Sequence, residues 1–222
     1  QALAAARTPS EEPELRVGAV QVAGIRALPR ALAALERAGF AGRIQLREGR
    51  VRDLLASLRA GALDGVVGWM DESPADASAA GQFRIEPLWY GRMQVVAAAR
   101  HPLVKTRAVA VAELARWRWI VPPAESRTHA AFQRLFLHHG VPVPTVAVEC
   151  PALHTMLRMV AATRYLAVAP DTVVRHYARQ RLVTVLRGPE LDLGRSQVSL
   201  VTRIDSEGLP AVARFREALL AD

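Results

Sequence analysis

Serine and histidine are the residues that invite a catalytic reading of this chain. Ser126 lies three positions before His129, His138 adjoins His139, and His154 stands by itself. A nucleophile needs an oriented base beside it, and the common frames that achieve this leave a mark in the sequence. The chain has no G-x-S-x-G, no H-E-x-x-H, no G-x-G-x-x-G after a strand pattern and no glycine-rich phosphate loop. His138 and His139 read as a solvated helix end, where imidazole complements the helix dipole. The single cysteine, Cys150, permits no internal disulfide and supplies no metal-ligand spacing. The expectation is a protein that is not an enzyme and has no metal site and no cofactor.

Binding chemistry is better represented. Gln21, Arg50, Ser126, Arg127 and His154 all fall where a strand pattern passes into a helix pattern, at Val20–Gly24, Gly49–Arg52, Pro122–Thr128 and Pro151–Thr155. In open parallel sheets, ligands bind beyond the carboxyl ends of the strands. Helix N-termini at such places present unpaired N–H groups and a positive dipole end, which suit anions and polar oxygens. Taken singly, each residue also has an ordinary role. Gln21 and His154 could cap or satisfy a neighbour, and Arg50 could turn outward or pair with Glu48 or Asp53.

The elements that must position these residues alternate along the chain. LRVGAV reads as a strand, followed by a helix whose Leu28, Leu32 and Leu35 share a face, then the strand RIQLRE. Val51, Leu54, Leu55 and Leu58 form the i, i+3, i+4, i+7 stripe of a second helix, and GALDGVVGW turns into a buried strand. A second series opens after RIEPLWYGRMQVVAAA. It runs through the strand WRWIV, a helix at Thr128–His139 ended by Gly140, the strand TVAVEC, a helix at 153–162 and the strand YLAVA. A short helix near Val173–Ala178, the strands LVTVL and SQVSLVTR, and a helix from Leu209 to Leu220 complete it. Strand and helix in alternation imply parallel pairing and an α/β class with two similar units of roughly 100 residues.

Composition limits the partners. The formal charge of +8 would suit nucleic acid, but Lys105 is the only lysine, and the arginines are scattered among acids and alanines as GC-rich codon usage would leave them. A DNA-binding face should show a basic stripe or a known motif, and neither is present. No uncharged stretch approaches the ~20 residues of a membrane span. The lone cysteine and the absence of a leader pattern at the start favour the cytoplasm. Residues 1–14, QALAAARTPSEEPE, read as a helical end passing into a linker.

Several segments, in order and spacing, resemble the effector-binding domain of LysR-type transcriptional regulators. They are LRVGAV with LPRALAAL, REGRVRDLLASLRAGALDGVVGWM, EPLWYGRMQVVAAARHPL, ELARWRWIVPP, FQRLFLHHGVPVPTVAVE and LRMVAATRYLAVAPDTVV, and the likeness runs from Leu15 to the C-terminus. WRWIVPP and FLHHG most resemble the subgroup governing sugar-uptake and aromatic-acid operons. The resemblance implies two Rossmann-like subdomains joined by two crossover strands, a periplasmic-binding-protein type 2-like fold. The first would hold 15–90 plus 193–222 and the second 91–192, with the small-molecule effector in the cleft between them. It further implies a homodimer or tetramer in the intact regulator, and DNA contact only through an N-terminal winged helix-turn-helix that precedes this sequence. By position, the effector contacts would be Gln21, Val22, Arg50, Ser126, Arg127, Leu153 and His154. Arg50 and Val22 stand where many members have small hydroxyl residues, and Thr163 and Tyr165 where many have a glycine pair, so no common effector carries over. Arg50 among converging helix N-termini would suit an anionic effector.

Two alternatives share the architecture: a periplasmic-type solute-binding protein, and an α/β enzyme of unknown reaction. An upstream helix-turn-helix would exclude the first, and turnover of a substrate would establish the second. Because no recognition helix is visible, this polypeptide is expected to show no preference among promoter fragments titrated near physiological salt. Selective submicromolar binding to one fragment would overturn that expectation, since phosphate contacts alone do not discriminate between sequences.

Overall fold

In the computed structural model, which describes residues 14–70, 81–206 and 208–221, strands β1 (Glu14–Ala19), β2 (Arg43–Glu48) and β3 (Gly65–Trp69) pair in parallel, with β1 central. Of the expected linker at 1–14, only Glu14 is described, and it opens β1; the rest lies outside the described residues. Between these strands run α1 (Gln21–Ile25), α2 (Ala27–Arg37) and α3 (Val51–Arg59). The stripe on α3 buries Leu54, Leu55 and Leu58 with Leu63, Val66, Met70, Phe83 and Val201, and Val51 packs on the margin. Asp53 in its first turn and Arg59 in its last match the helix dipole.

Helix α2 departs from the expected leucine face. It buries Ala31 and Leu35, while Leu28 is half-buried and Leu32 is 57% exposed. At 3.6 residues per turn, Leu32 lies about 100° round the axis from Ala31, so a rotation that seats Ala31 and Leu35 turns Leu32 outward.

The chain forms two compact units, one made of the residues up to Trp89 with those from Val198 onward, the other of Tyr90–Gln197. It passes from the first to the second within one sixteen-residue strand, β4 (Phe83–Ala98), and returns within β9 (Arg195–Arg203). β9 lies antiparallel to β3. In the second unit, β5 (Trp119–Val121) pairs in parallel with β6 (Val146–Glu149), whereas β7 (Ala167–Pro170) and β8 (Val183–Val185) lie antiparallel to β4. Parallel pairing, inferred from the alternation of strands and helices, therefore holds for the strands joined by helices. It fails for β4 and β9, because the chain enters each of them from the other unit and not through a βαβ crossover. The remaining helices are α4 (Val111–Leu114), α5 (Arg127–His138), α6 (Leu153–Ala162), α7 (Asp171–Arg179) and α8 (Pro210–Leu220).

Gly140, at φ 64°, ends α5 in the left-handed conformation that costs glycine nothing. Beneath α5, the Trp119 ring lies 5.0 Å from Phe132 and 5.5 Å from Phe136, and its indole N–H donates to the Leu114 carbonyl at 3.2 Å. No helix among the described residues is long and apolar enough to cross a membrane.

His101 is buried at 3% exposure, and its ring centroid lies 4.2 Å from that of Trp117, with the rings inclined at 61°. Its Nδ1 accepts from the Leu103 N–H at 3.2 Å, and its Nε2 faces the Arg164 carbonyl at 3.2 Å. Since a carbonyl only accepts, the proton sits on Nε2. Burial lowers the imidazole from its usual 6.5, the Arg164 carbonyl opposes the shift, and the Arg164 charge adds to it. The folded state thus binds fewer protons than the unfolded state below about pH 6.5. Stability is expected to be full above that pH and to fall as pH drops through it. Urea unfolding at several pH values checks this: His101→Asn should be less stable near neutrality and should lose part of the acid-side slope. An unchanged slope in the variant would refute the assignment.

Candidate functional site

In the first unit, register along the sheet brings the strand ends together. The Val20 N–H donates to the Val67 carbonyl at 3.0 Å, and the Gly49 N–H to the Ala19 carbonyl at 3.2 Å. Each strand then turns at once into a helix: Val20 is the N-cap of α1 and Arg50 the N-cap of α3, and neither makes a side-chain capping bond. Gly68 permits the close approach of both turns. A Cβ there would lie 3.1 Å from Val51 Cγ2 and 3.3 Å from Val20 Cγ1.

The side chains at these turns differ in reach. Gln21 is half-buried and already engaged, and Val22 is 2% exposed, so only its main chain could meet a ligand. Arg50 is exposed, and its Nε donates to Asp53 Oδ2 at 3.0 Å. An exposed pair of this kind contributes about 0–1 kcal/mol, so a well-placed ligand anion could displace it, but the guanidinium does not stand waiting as a bare charge.

In the second unit, the Cys150 N–H donates to the Val121 carbonyl at 2.8 Å, which sets the end of β6 beside the end of β5. Ser126 Oγ caps α5 by accepting from the His129 N–H at 3.1 Å, and the Ser126 N–H donates to the Pro123 carbonyl at 2.9 Å. His129 Nδ1 faces the Pro122 carbonyl at 2.9 Å. The Ser126 hydroxyl and the His129 ring therefore each serve the backbone, and the two are not joined as nucleophile and base. Arg127, half-buried, donates from a terminal guanidinium nitrogen to Ser196 Oγ.

Helix α6 begins at Leu153 behind Ala152, with no side-chain cap. Leu153 is buried, while His154 is exposed and hydrogen-bonds through Nδ1 with the Tyr177 hydroxyl at 2.9 Å. His138 and His139 end α5, with His139 Nδ1 facing the Leu135 carbonyl at 2.9 Å. Among the described residues, no group of three or more His, Cys, Asp or Glu side chains could hold a metal ion.

Each unit thus brings together two of the expected junctions. Gln21, Val22 and Arg50 lie on those of the first unit, and Ser126, Arg127, Leu153 and His154 on those of the second. What the turns offer is hydrogen-bond donation: uncapped N–H groups at α1, α3 and α6, and the guanidinium of Arg127. Three partners complete the arrangement. Asp53 was readable from its spacing to Arg50, but Tyr177 and Ser196 are 23 and 69 residues from the side chains they hold, and no local pattern points to them.

The LysR substrate binding domain family matches residues 9–222 of the chain. An HTH-type transcriptional regulator, PcaQ of Agrobacterium fabrum (strain C58 / ATCC 33970), is 30% identical over 139 residues, which cover 62% of this chain and 43% of the relative; the chain thus matches less than half the length of that protein. Among solved structures, the Synechocystis PCC6803 CcmR regulatory domain in complex with 2-PG is similar, with a TM-score of 0.79 at 18% identity, covering 94% of this chain and 96% of that one. The effector binding domain of QuiR in complex with shikimate has a TM-score of 0.73 at 17% identity, with 95% and 96% covered.

Proposed function

Because the chain belongs to the LysR substrate binding domain family, we propose that it is the part of a DNA-binding transcription regulator that senses a small-molecule effector, and that it catalyses no reaction. The two units act as effector-binding subdomains, and an upstream winged helix-turn-helix makes the DNA contacts of the intact, cytoplasmic regulator. The names of the PcaQ relative and of the CcmR and QuiR structures support this reading, since one is an HTH-type regulator and the others hold 2-PG and shikimate on the same fold.

The effector is engaged at the carboxyl-end junctions by Gln21, Arg50, Ser126, Arg127 and His154, with Val22 and Leu153 contributing main chain. One observation carries the chemistry: helix N-termini without side-chain caps stand on these junctions, and half-buried Arg127 is the first residue of α5. Main-chain N–H groups at helix starts and a guanidinium side chain favour an anionic effector. A thermal-shift screen of small carboxylates against matched neutral sugars tests this. Carboxylates should stabilise the wild type best, and Arg127→Ala should weaken them about 10- to 100-fold, the equivalent of one charge-assisted hydrogen bond. Arg50→Ala should cost less, because Asp53 already shares that charge. If neutral sugars stabilise best, or both substitutions leave carboxylate binding intact, the reading is wrong.

Self-association is the second part of the proposal. Leu32 on α2 and Leu46 on the edge strand β2 are each 57% exposed, and both belong to the first unit. An edge strand beside exposed leucines is a ready surface for pairing. Sedimentation at tens of micromolar should show a dimer that Leu32→Glu shifts toward monomer; a strictly monomeric wild type would count against it.

A further inference from the structure

The only lysine of the chain sits in a groove of the second unit, far in sequence from every junction discussed so far. The groove, about 460 Å³, lies between the 3-10 turn at Pro102–Lys105 with the residues after it and the strand β8. Lys105, Thr106, Arg107, Thr184 and Arg187 line it together with buried Leu103. Although the sequence contains 21 acidic residues, none lines this groove. Lys105, Arg107 and Arg187 make no ion pair with any described residue, and all three are exposed.

The main chain adds peptide groups, N–H beside C=O, on the same side. The Ala99 N–H donates to the Leu182 carbonyl at 3.1 Å and the Leu186 N–H to the Val95 carbonyl at 2.9 Å, so the even-numbered residues of this stretch turn their peptide groups toward β4. By the alternation of an antiparallel ladder, Val183 and Val185 turn theirs to the other side, and both line the groove.

Three cations gathered on the walls of one concavity repel one another, and low-dielectric walls strengthen that field above what it would be on a convex surface. The ordinary alternative is that exposed arginines and lysines are simply solvated. Solvation accounts for one isolated cation, but not for three lining one groove with two threonine hydroxyls and no carboxylate. We infer that this groove is a binding site for a small, multiply charged oxyanion, either a free phosphate or pyrophosphate or the phosphate group of a metabolite. Guanidinium forks and an ammonium satisfy several oxygens of such a group at once, and hydroxyls and edge N–H groups complete its shell. The site is separate from the effector junctions, and its occupancy does not depend on the function proposed above.

The single lysine makes the test local. Acylation of Lys105 by an amine-specific reagent is followed by mass spectrometry on the whole chain at constant ionic strength, with and without pyrophosphate. Inorganic phosphate and glycerol 3-phosphate are run alongside to distinguish a free from an esterified source. Pyrophosphate should slow acylation about tenfold or more at saturation, and Arg107→Ala or Arg187→Ala should each weaken that protection about tenfold. Arg134→Ala and Arg214→Ala, which remove exposed arginines elsewhere, should leave it unchanged. Calorimetry on Lys105→Gln should show pyrophosphate affinity reduced to a similar degree. Protection no greater than chloride gives, or equal loss in the Arg134 and Arg214 variants, would mean screening of a diffuse positive charge and would overturn the site.

Discussion

Asp64, 5% exposed, accepts from the Arg16 main-chain N–H at 2.7 Å, from its Nε at 3.1 Å and from a terminal guanidinium nitrogen at 2.7 Å, while its own N–H donates to the Arg16 carbonyl at 2.7 Å. A buried carboxylate is tolerable only when its oxygens are filled in this way. The clamp stands immediately before β1 and β3 begin to pair, at Val17 opposite Gly65. A slip of one residue would turn every side chain of a strand to the other face, so this clamp helps decide which residues form the core. The same register delivers the Val20 N–H to the Val67 carbonyl at the far end of the strands. The turns that carry Gln21 and Arg50 are therefore positioned by a charged pair at the opposite end of the sheet.

The second unit reaches a comparable geometry by apolar means. Trp119, fully buried against Phe132 and Phe136, fixes α5 over β5, and the Cys150 N–H then joins the ends of β5 and β6. The helix starts differ in what they leave free. Ser126 uses its hydroxyl on α5, whereas α3 and α6 start behind residues that make no cap. Helix starts without caps are less stable by about 1 kcal/mol each, a cost that a bound oxygen could offset.

Much of this was legible in the sequence because helix and strand periods are local. Helix 153–162 has the expected bounds, and the α3 stripe and the Gly140 stop are where the pattern put them. The four strand-to-helix junctions followed from the same patterns. What escaped is non-local. Whether α2 seats Leu32 or Ala31 depends on the sheet and on α8, not on the helix period. The direction of β4 and β9 depends on where the chain arrives from, and the pairs Arg127–Ser196 and His154–Tyr177 span segments with no shared motif. Ser126 and His129, the most enzyme-like pair in the sequence, look reactive only until the backbone groups they serve are seen.

The path of the chain through β4 and β9 also sets an order of assembly during synthesis. Every residue of the second unit has been made once Gln197 is added, but the first unit still lacks β9 from Val198 onward and all of α8. Its β3 must wait for Val198 to meet Trp69 and for Thr202 to meet Gly65. Such pairings carry a large loop-closure cost and form slowly. On the ribosome, the inserted unit can complete its core while the enclosing one, though begun first, holds an open sheet edge at β3. That interval is when the apolar run Gly65–Trp69, buried in the finished protein, is most exposed to wrong partners.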